Sequence, residues 1–356
     1  MVLAEKILDD IESVQKIDAS KMLSLIDALP NSMRQGWTAA ESAILPKTGV
    51  FKNIVVSGMG GSAISGDIVS TVLRDKAQIP VLVNRNYGCP KYVSSDTLFI
   101  AVSYSGNTEE TLSSFKKALE IGAKIVSISS GGEIKELSLK NNIPFIEIPK
   151  GLPPRAAVGY LLSPILNVIF RLGLYKRMKD DFEETTALLD QMCRSCGMNQ
   201  KFRENEAKQM AARLHGKLPV ILATDGTTAA AALRWKTQLN ENSKVTALLS
   251  VFPELNHNDI VNFSYLRSGE HNFSVVILRD EDDFGRIKRR IEITKSLISG
   301  NVGGIAEIWA KGKSLLARTM SLVLYGDYLS VYLAVLSSVD PTPVDVIDKL
   351  KKELLR

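Results

Sequence analysis

At 356 residues the chain is long enough for two domains of ordinary size, each with a substantial core. Hydrophobic residues at 45%, charged residues at 23% and a mean hydropathy of +0.04 are those of a globular protein, which excludes disordered, collagen-like and coiled-coil readings. The net charge of +5 is mild and spread along the chain, without an arginine-rich arm or a base-stacking aromatic cluster, so nucleic acid is not an expected partner while small anions remain open.

The first residues carry acids and lack an apolar secretory core with a cleavage site, and they predict a helix of the mature protein. From there to about residue 43 the pattern fits one or two helices packed outside the first domain. Between residues 51 and 149 short β-branched runs alternate with amphipathic segments, which predicts a parallel sheet with crossover helices. The expected strands are 53–57, 81–83, 98–103, 124–128 and 144–148, nearly continuous in apolar residues and so covered on both faces. A helical stretch begins near Arg155 and a polar region follows over about 176–208. The alternation then resumes with strands 220–223, 245–249, 274–278 and 304–308 and helices at 227–239 and 284–297. A long apolar-faced helix over 314–338 precedes Asp340-Pro341-Thr342-Pro343 and a short basic helix. The longest apolar runs are too short or too interrupted for a membrane span of roughly 20 residues, so no membrane is expected as a partner.

Three cysteines, Cys89, Cys193 and Cys196, do not fit a secreted disulfide framework, and a reducing cytoplasm is the expected compartment. Cys193-Arg194-Ser195-Cys196 has redox or half-zinc spacing, but no second such pair and no paired histidines complete a tetrahedral site, so the two thiols read as neighbours on a helix. Imidazole chemistry is restricted to His215, His257 and His271.

Two segments carry chemistry. Val55-Val56-Ser57-Gly58-Met59-Gly60-Gly61-Ser62 is a strand that runs through glycines into a helix, where backbone N–H groups can approach an anion and the helix dipole favours it. It is a poor dinucleotide fingerprint, because no third glycine falls cleanly in place and Asn84-Arg85-Asn86, not an acid, ends the next strand. Ser103-Tyr104-Ser105-Gly106-Asn107-Thr108-Glu109-Glu110-Thr111 places hydroxyls and a glycine between a buried strand and a helix. Asn107 can cap that helix with Glu110 in a capping-box position, and Ser103, Ser105 and Thr108 can donate to one phosphate.

Together these motifs resemble the sugar isomerase (SIS) domain of the phosphoglucose isomerase superfamily, and the duplicated pattern is similar to its archaeal-type bifunctional phosphoglucose/phosphomannose isomerases. The resemblance extends through Gly151-Leu152-Pro153-Pro154-Arg155, Arg234-Trp235-Lys236-Thr237-Gln238-Leu239-Asn240-Glu241-Asn242, Glu254-Leu255-Asn256-His257-Asn258 and the Asp340-Pro341 tail with Lys351. It implies an α/β fold of two doubly wound parallel-sheet SIS domains, each three-layer α/β/α. The domain boundaries expected from it are N-terminal helices over 1–45, a phosphate-binding domain over 46–175, linker helices and a second domain over 176–320, and a tail over 321–356 that contributes to the active site. Sugar 6-phosphate would bind Gly60, Gly61, Ser62, Ser103, Ser105 and Thr108. Glu241 matches the family's general base, Arg155 the arginine that stabilises enediolate charge, and His257 and Lys351 the ring-opening groups, with His257 donated across a homodimer. His215 and His271 match no motif.

Aldose–ketose interconversion moves a proton between C1 and C2 through a cis-enediol, for which a partly buried carboxylate is suited. No cofactor or metal is expected, since no His-Glu cluster has ligand spacing. Thr224-Asp225-Gly226-Thr227-Thr228 in the second unit, where the first has its glycine-rich loop, implies that phosphate binding was lost there. A non-catalytic sugar-phosphate sensor and an amino-sugar phosphate isomerase are the competing readings; neither a DNA-binding extension nor an N-terminal cysteine nucleophile is present to favour them.

Overall fold

The computed structural model describes residues 1–46, 51–265 and 272–354. His271 therefore lies outside the described residues. Two compact units are present, one formed by residues 28–190 and 312–320, the other by residues 1–27, 191–311 and 321–356.

The first of these holds a parallel sheet of β1 (Asn53–Ser57), β2 (Val81–Asn84), β3 (Thr97–Ser103), β4 (Lys124–Ser129) and β5 (Phe145–Glu147), in the order β2-β1-β3-β4-β5. Every residue of β1 and β3 is buried, as a strand covered on both faces requires. The alternation of side chains then sorts the helices. Val55 packs with Phe115 and Ala118 of the helix Glu109–Ile121, whereas its neighbour Val56 lies against Gly66 of the helix Gly60–Leu73 on the other face. The helices that leave β1 and β3 therefore diverge to opposite faces, and the carboxyl ends of these two adjacent strands form a crevice, the usual ligand position in such a sheet.

The other unit repeats this plan with β6 (Leu218–Thr224), β7 (Leu248–Phe252), β8 (Phe273–Arg279) and β9 (Ile305–Trp309), ordered β7-β6-β8-β9 and all parallel. Val220, Leu222, Val275 and Ile277 form one core with Ile291 and Ile298 of the helix Gly285–Ile298, while the helix Ala229–Glu241 packs on β6 and β7. Strand β7 begins three residues later than the sequence pattern predicts. The intervening residues are used in leaving the helix: Val245 N–H donates to Leu239 O, and Lys244 has φ +55°.

The N-terminal helices expected on the first domain are divided between the units. Leu29–Glu41 packs on Val158–Arg171 in the unit of the first sheet, but Val2–Asp9, Ile11–Ile17 and Met22–Asp27 belong with the second. The reason is Lys208, 1% exposed, whose ammonium donates to Leu8 O (2.7 Å) and Met198 O (3.0 Å) and pairs with Asp9 (3.2 Å). Such a buried cation needs these acceptors, and two of the three come from the first helix. The helix Leu315–Leu336 is long and apolar enough to cross a membrane by composition alone, yet it is enclosed within the protein, the situation in which a helix is apolar all round.

Candidate active site

At the first crevice, glycine is required twice. A Cβ at Gly58 would stand 2.8 Å from Val102 O on β3, so the two strand ends approach as only glycine permits, and Gly60 opens its helix at φ +50°. The N–H groups of Gly60 and Gly61 fall in the first turn, where no preceding helical carbonyl can accept them. Ser62 is buried just behind.

The second loop is folded by its own hydroxyls. Gly106 N–H donates to Ser103 Oγ (3.1 Å), Asn107 N–H to Ser105 Oγ (3.2 Å), and Ser103 Oγ shares a 2.9 Å hydrogen bond with Thr108 Oγ1. A hydroxyl that accepts an N–H still has its own O–H to give, so exposed Ser105 and one of the Ser103/Thr108 pair retain donors for an anion. Asn107 does not cap its own helix, where Thr108 holds the N-cap position. Its Oδ1 instead accepts from Glu133 N–H (2.9 Å) at the start of Gly132–Lys140. That helix is entered through Gly131 and Gly132, which have no side chain to cap with, so the cap comes from the neighbouring loop.

Sequence reading missed this third loop. Ser130 donates through N–H (3.0 Å) and Oγ (2.7 Å) to Tyr104 O, and a Cβ on Gly106 would overlap Gly131 O. The Lys150 ammonium lies over Gly131, which adds a cation beside the cradle. The signal was in the sequence as Ser129-Ser130-Gly131-Gly132, at the end of a predicted strand.

Arg155 stands in a short 3-10 helix, Pro154–Ala157, and is 4% exposed. Its loop is tied to both the glycine loop and the loop of residues 103–108: Leu152 N–H donates to the Tyr104 phenol (2.7 Å), and a Cβ on Gly61 would stand 3.0 Å from Pro154 O. Gly60, Gly61, Ser62, Ser103, Ser105, Thr108 and Arg155 are thus assembled at one end of one sheet.

In the other unit the helix expected to end at 239 runs on to Glu241, its last residue (Ala229–Glu241), which is half-buried. The helix is bolted to Leu315–Leu336 along its length. Arg234 meets Asp327 through Nε (2.9 Å) and Nη2 (2.7 Å), Gln238 Nε2 donates to Asp327 (2.9 Å), and Trp235 Nε1 donates to Leu322 O (2.7 Å). Asn242 Nδ2 and Ser243 Oγ, immediately beyond Glu241, donate to Ser330 Oγ (2.9 Å) and Ser330 O (2.5 Å). This explains the Arg-Trp-Lys-Thr-Gln-Leu-Asn-Glu-Asn run: its buried members hold the glutamate.

His257 is exposed at the end of a short 3-10 helix, Glu254–His257, beyond the carboxyl end of β7. Leu255 anchors this turn in the core, and Asn256 donates to Thr294 Oγ1 (2.9 Å). Glu241 stands at the other end of the sheet, because its helix runs back against β6 and closes just before β7 begins. The five residues of β7 alone span roughly 16 Å, so within one unit Glu241 and His257 do not meet. Lys351 is exposed on the helix Asp345–Leu354. Val344 and Ile347 are only partly buried and Leu350 is 60% exposed, so the helix lies on the surface with its apolar side open. His215 is exposed at a helix end.

The second crevice, between β6 and β8, carries acids. Thr227 Oγ1 (2.7 Å) and Thr224 Oγ1 (3.2 Å) both donate to Asp283, which is 3% exposed. Burial pushes this carboxyl above its ordinary pKa, against the opposing Thr227 hydrogen bond. Hydroxyls that could receive an anion are occupied by one the chain supplies itself.

Residues 51–138 match the SIS domain family, and residues 203–354 match the Bacterial phospho-glucose isomerase C-terminal SIS domain. The chain is 43% identical over 334 residues to a bifunctional phosphoglucose/phosphomannose isomerase of Caldicellulosiruptor bescii, covering 94% of this chain and 98% of that one. The chain belongs to the bifunctional phosphoglucose/phosphomannose isomerase family. A family member from Thermoplasma acidophilum is 41% identical over 86% of this chain and 91% of its own. The fold is shared with a hypothetical protein of Thermus thermophilus, at a TM-score of 0.71 and 14% identity over 97% of this chain and 94% of that one. Residues 176–214 also match a zinc-finger family, but the donor set does not fit zinc. Cys193 and Cys196 lie on one helix, Cys193 Sγ donates to Asp27 O (3.6 Å), Cys196 is buried, and no histidine falls in the segment. Among the described residues no three His, Cys, Asp or Glu side chains are grouped to hold a metal.

Proposed function

We propose that this isomerase interconverts fructose 6-phosphate with glucose 6-phosphate and mannose 6-phosphate, by proton transfer between C1 and C2 and without a metal. The observation that carries the reading is the cradle of residues 58–62 and 103–108, with Arg155 held against it. Backbone N–H groups, free O–H donors and a helix N-terminus hold the phosphate, and the buried guanidinium faces charge that develops on the enediolate. Glu241 moves the proton, and its placement on a helix fixed by Arg234, Trp235 and Gln238 supplies the rigidity that proton transfer needs. His257 and Lys351 open and close the sugar ring.

The protein works as a cytoplasmic homodimer in which His257 completes the partner's site. Its exposure and its separation from Glu241 along β7 support that reading. A coupled assay on fructose 6-phosphate in the presence of EDTA, following the glucose and mannose products separately, tests the activity; no turnover, or loss on chelation, overturns it. Mixing inactive Glu241→Gln and His257→Ala subunits restores part of the activity if His257 crosses the interface, and restores none after confirmed subunit exchange if it does not.

A further inference from the structure

We infer that Tyr104 is a positioning residue that makes phosphate binding hold Arg155 in place. This rests on the isomerase reading of the site and names a residue that its chemistry does not use directly. Tyr104 stands inside the phosphate loop, between Ser103 and Ser105, yet its side chain leaves that loop: the phenol oxygen accepts Leu152 N–H at 2.7 Å, three residues before Arg155. Its backbone is fixed from the other side, because its carbonyl accepts both Ser130 N–H and Ser130 Oγ. The residue therefore joins three loops at the carboxyl end of one sheet. Burial raises the phenol's pKa above its already alkaline ordinary value, so it remains a neutral O–H that accepts from Leu152 and keeps its proton to donate. On the opposite side, Pro154 O abuts Gly61, so the arginine turn is gripped between the glycine loop and the Tyr104 phenol. An anion that orders residues 103–108 orders Tyr104 with them, and through Leu152 the turn that presents the guanidinium.

Amide hydrogen exchange of the intact protein with inorganic phosphate as the probe tests this coupling. In the wild type, phosphate slows exchange over residues 103–110 and also over 149–158. In Tyr104→Phe the first protection is kept and the second is lost. Turnover gives the second readout: Tyr104→Phe lowers kcat about 3- to 10-fold, the worth of one hydrogen bond, with KM within about twofold. In an Arg155→Lys background, where the bidentate fork is already gone, it has no further effect. Protection over 149–158 that survives in Tyr104→Phe, or an equal loss of kcat in both backgrounds, overturns the inference. Absence of isomerase activity in the wild type would remove the isomerase reading and leave the exchange result to judge Tyr104 alone.

Discussion

The two crevices share a strand order and differ in what fills them. Between β1 and β3 the strands end in glycine and serine, the hydroxyls accept only from their own loop, and Ser105 and one of the Ser103/Thr108 pair keep a proton to donate. Between β6 and β8 the chain continues as Asp280-Glu281-Asp282-Asp283, and the hydroxyls of Thr224 and Thr227 are spent on Asp283. A duplicated fold therefore does not carry a duplicated site. The topology supplies a crevice, and the charge placed in it decides whether an external anion can enter. The second unit invests instead in holding a helix, through the buried Arg234–Asp327 pair and the ring stack of Trp235 on Tyr325.

The largest effect that sharpens this contrast is expected at Glu241. Glu241→Gln should lower kcat about 10²- to 10⁴-fold while the Kd of fructose 6-phosphate stays within about threefold, since the proposed phosphate cradle is the first crevice. A parallel loss of binding in calorimetry would break the division of labour. Next, Asp327→Asn removes the buried carboxylate that pairs with Arg234 and accepts from Gln238, and denaturant unfolding should show a loss of about 3–5 kcal/mol. Gly106→Ala adds a Cβ against Gly131 O at a position with φ +74°, which should weaken inhibition by inorganic phosphate about 10- to 100-fold. Gly226→Ala, at φ +83° in the second unit, should leave phosphate inhibition unchanged; equal effects at both glycines would show that both crevices bind the anion.

The smallest expected effect is a pH dependence at Asp283. Its pKa is raised in the folded state, so between its ordinary value of 3.8 and that raised value the native protein binds more proton than the unfolded chain. Stability from this group is therefore greatest at low pH and falls as pH rises through the folded pKa. Asp283→Asn removes that slope, and the difference in unfolding free energy between wild type and variant, measured in urea, should shrink as the pH rises from about 4. A difference that grows as the pH rises would show that Asp283 is stabilised as the carboxylate.

Much of the site was legible because its signals are local. Alternation of β-branched runs with amphipathic segments defines parallel strands and crossover helices whatever their partners. Glycines and hydroxyls of the proposed phosphate cradle lie close together along the chain, as Ser103, Ser105 and Thr108 do. Pairings across the chain were not legible. Asn107 carries the same capping chemistry toward two helices, and only the approach of Gly131 and Gly132 selects the second. Glu241 falls beyond the helix expected over 227–239, because that helix is extended by contacts of Asn242 and Ser243 with Ser330, distant in sequence.

Fold class, strand count and the residue types of the proposed phosphate cradle thus follow from patterning over a few residues, where side-chain period and turn chemistry act directly. The grouping of the first three helices with the second unit, the closing of one crevice by Asp283 and the joining of Tyr104 to the Arg155 turn do not. Each depends on a buried polar group that must find its partner, and that partner is set by how distant segments pack.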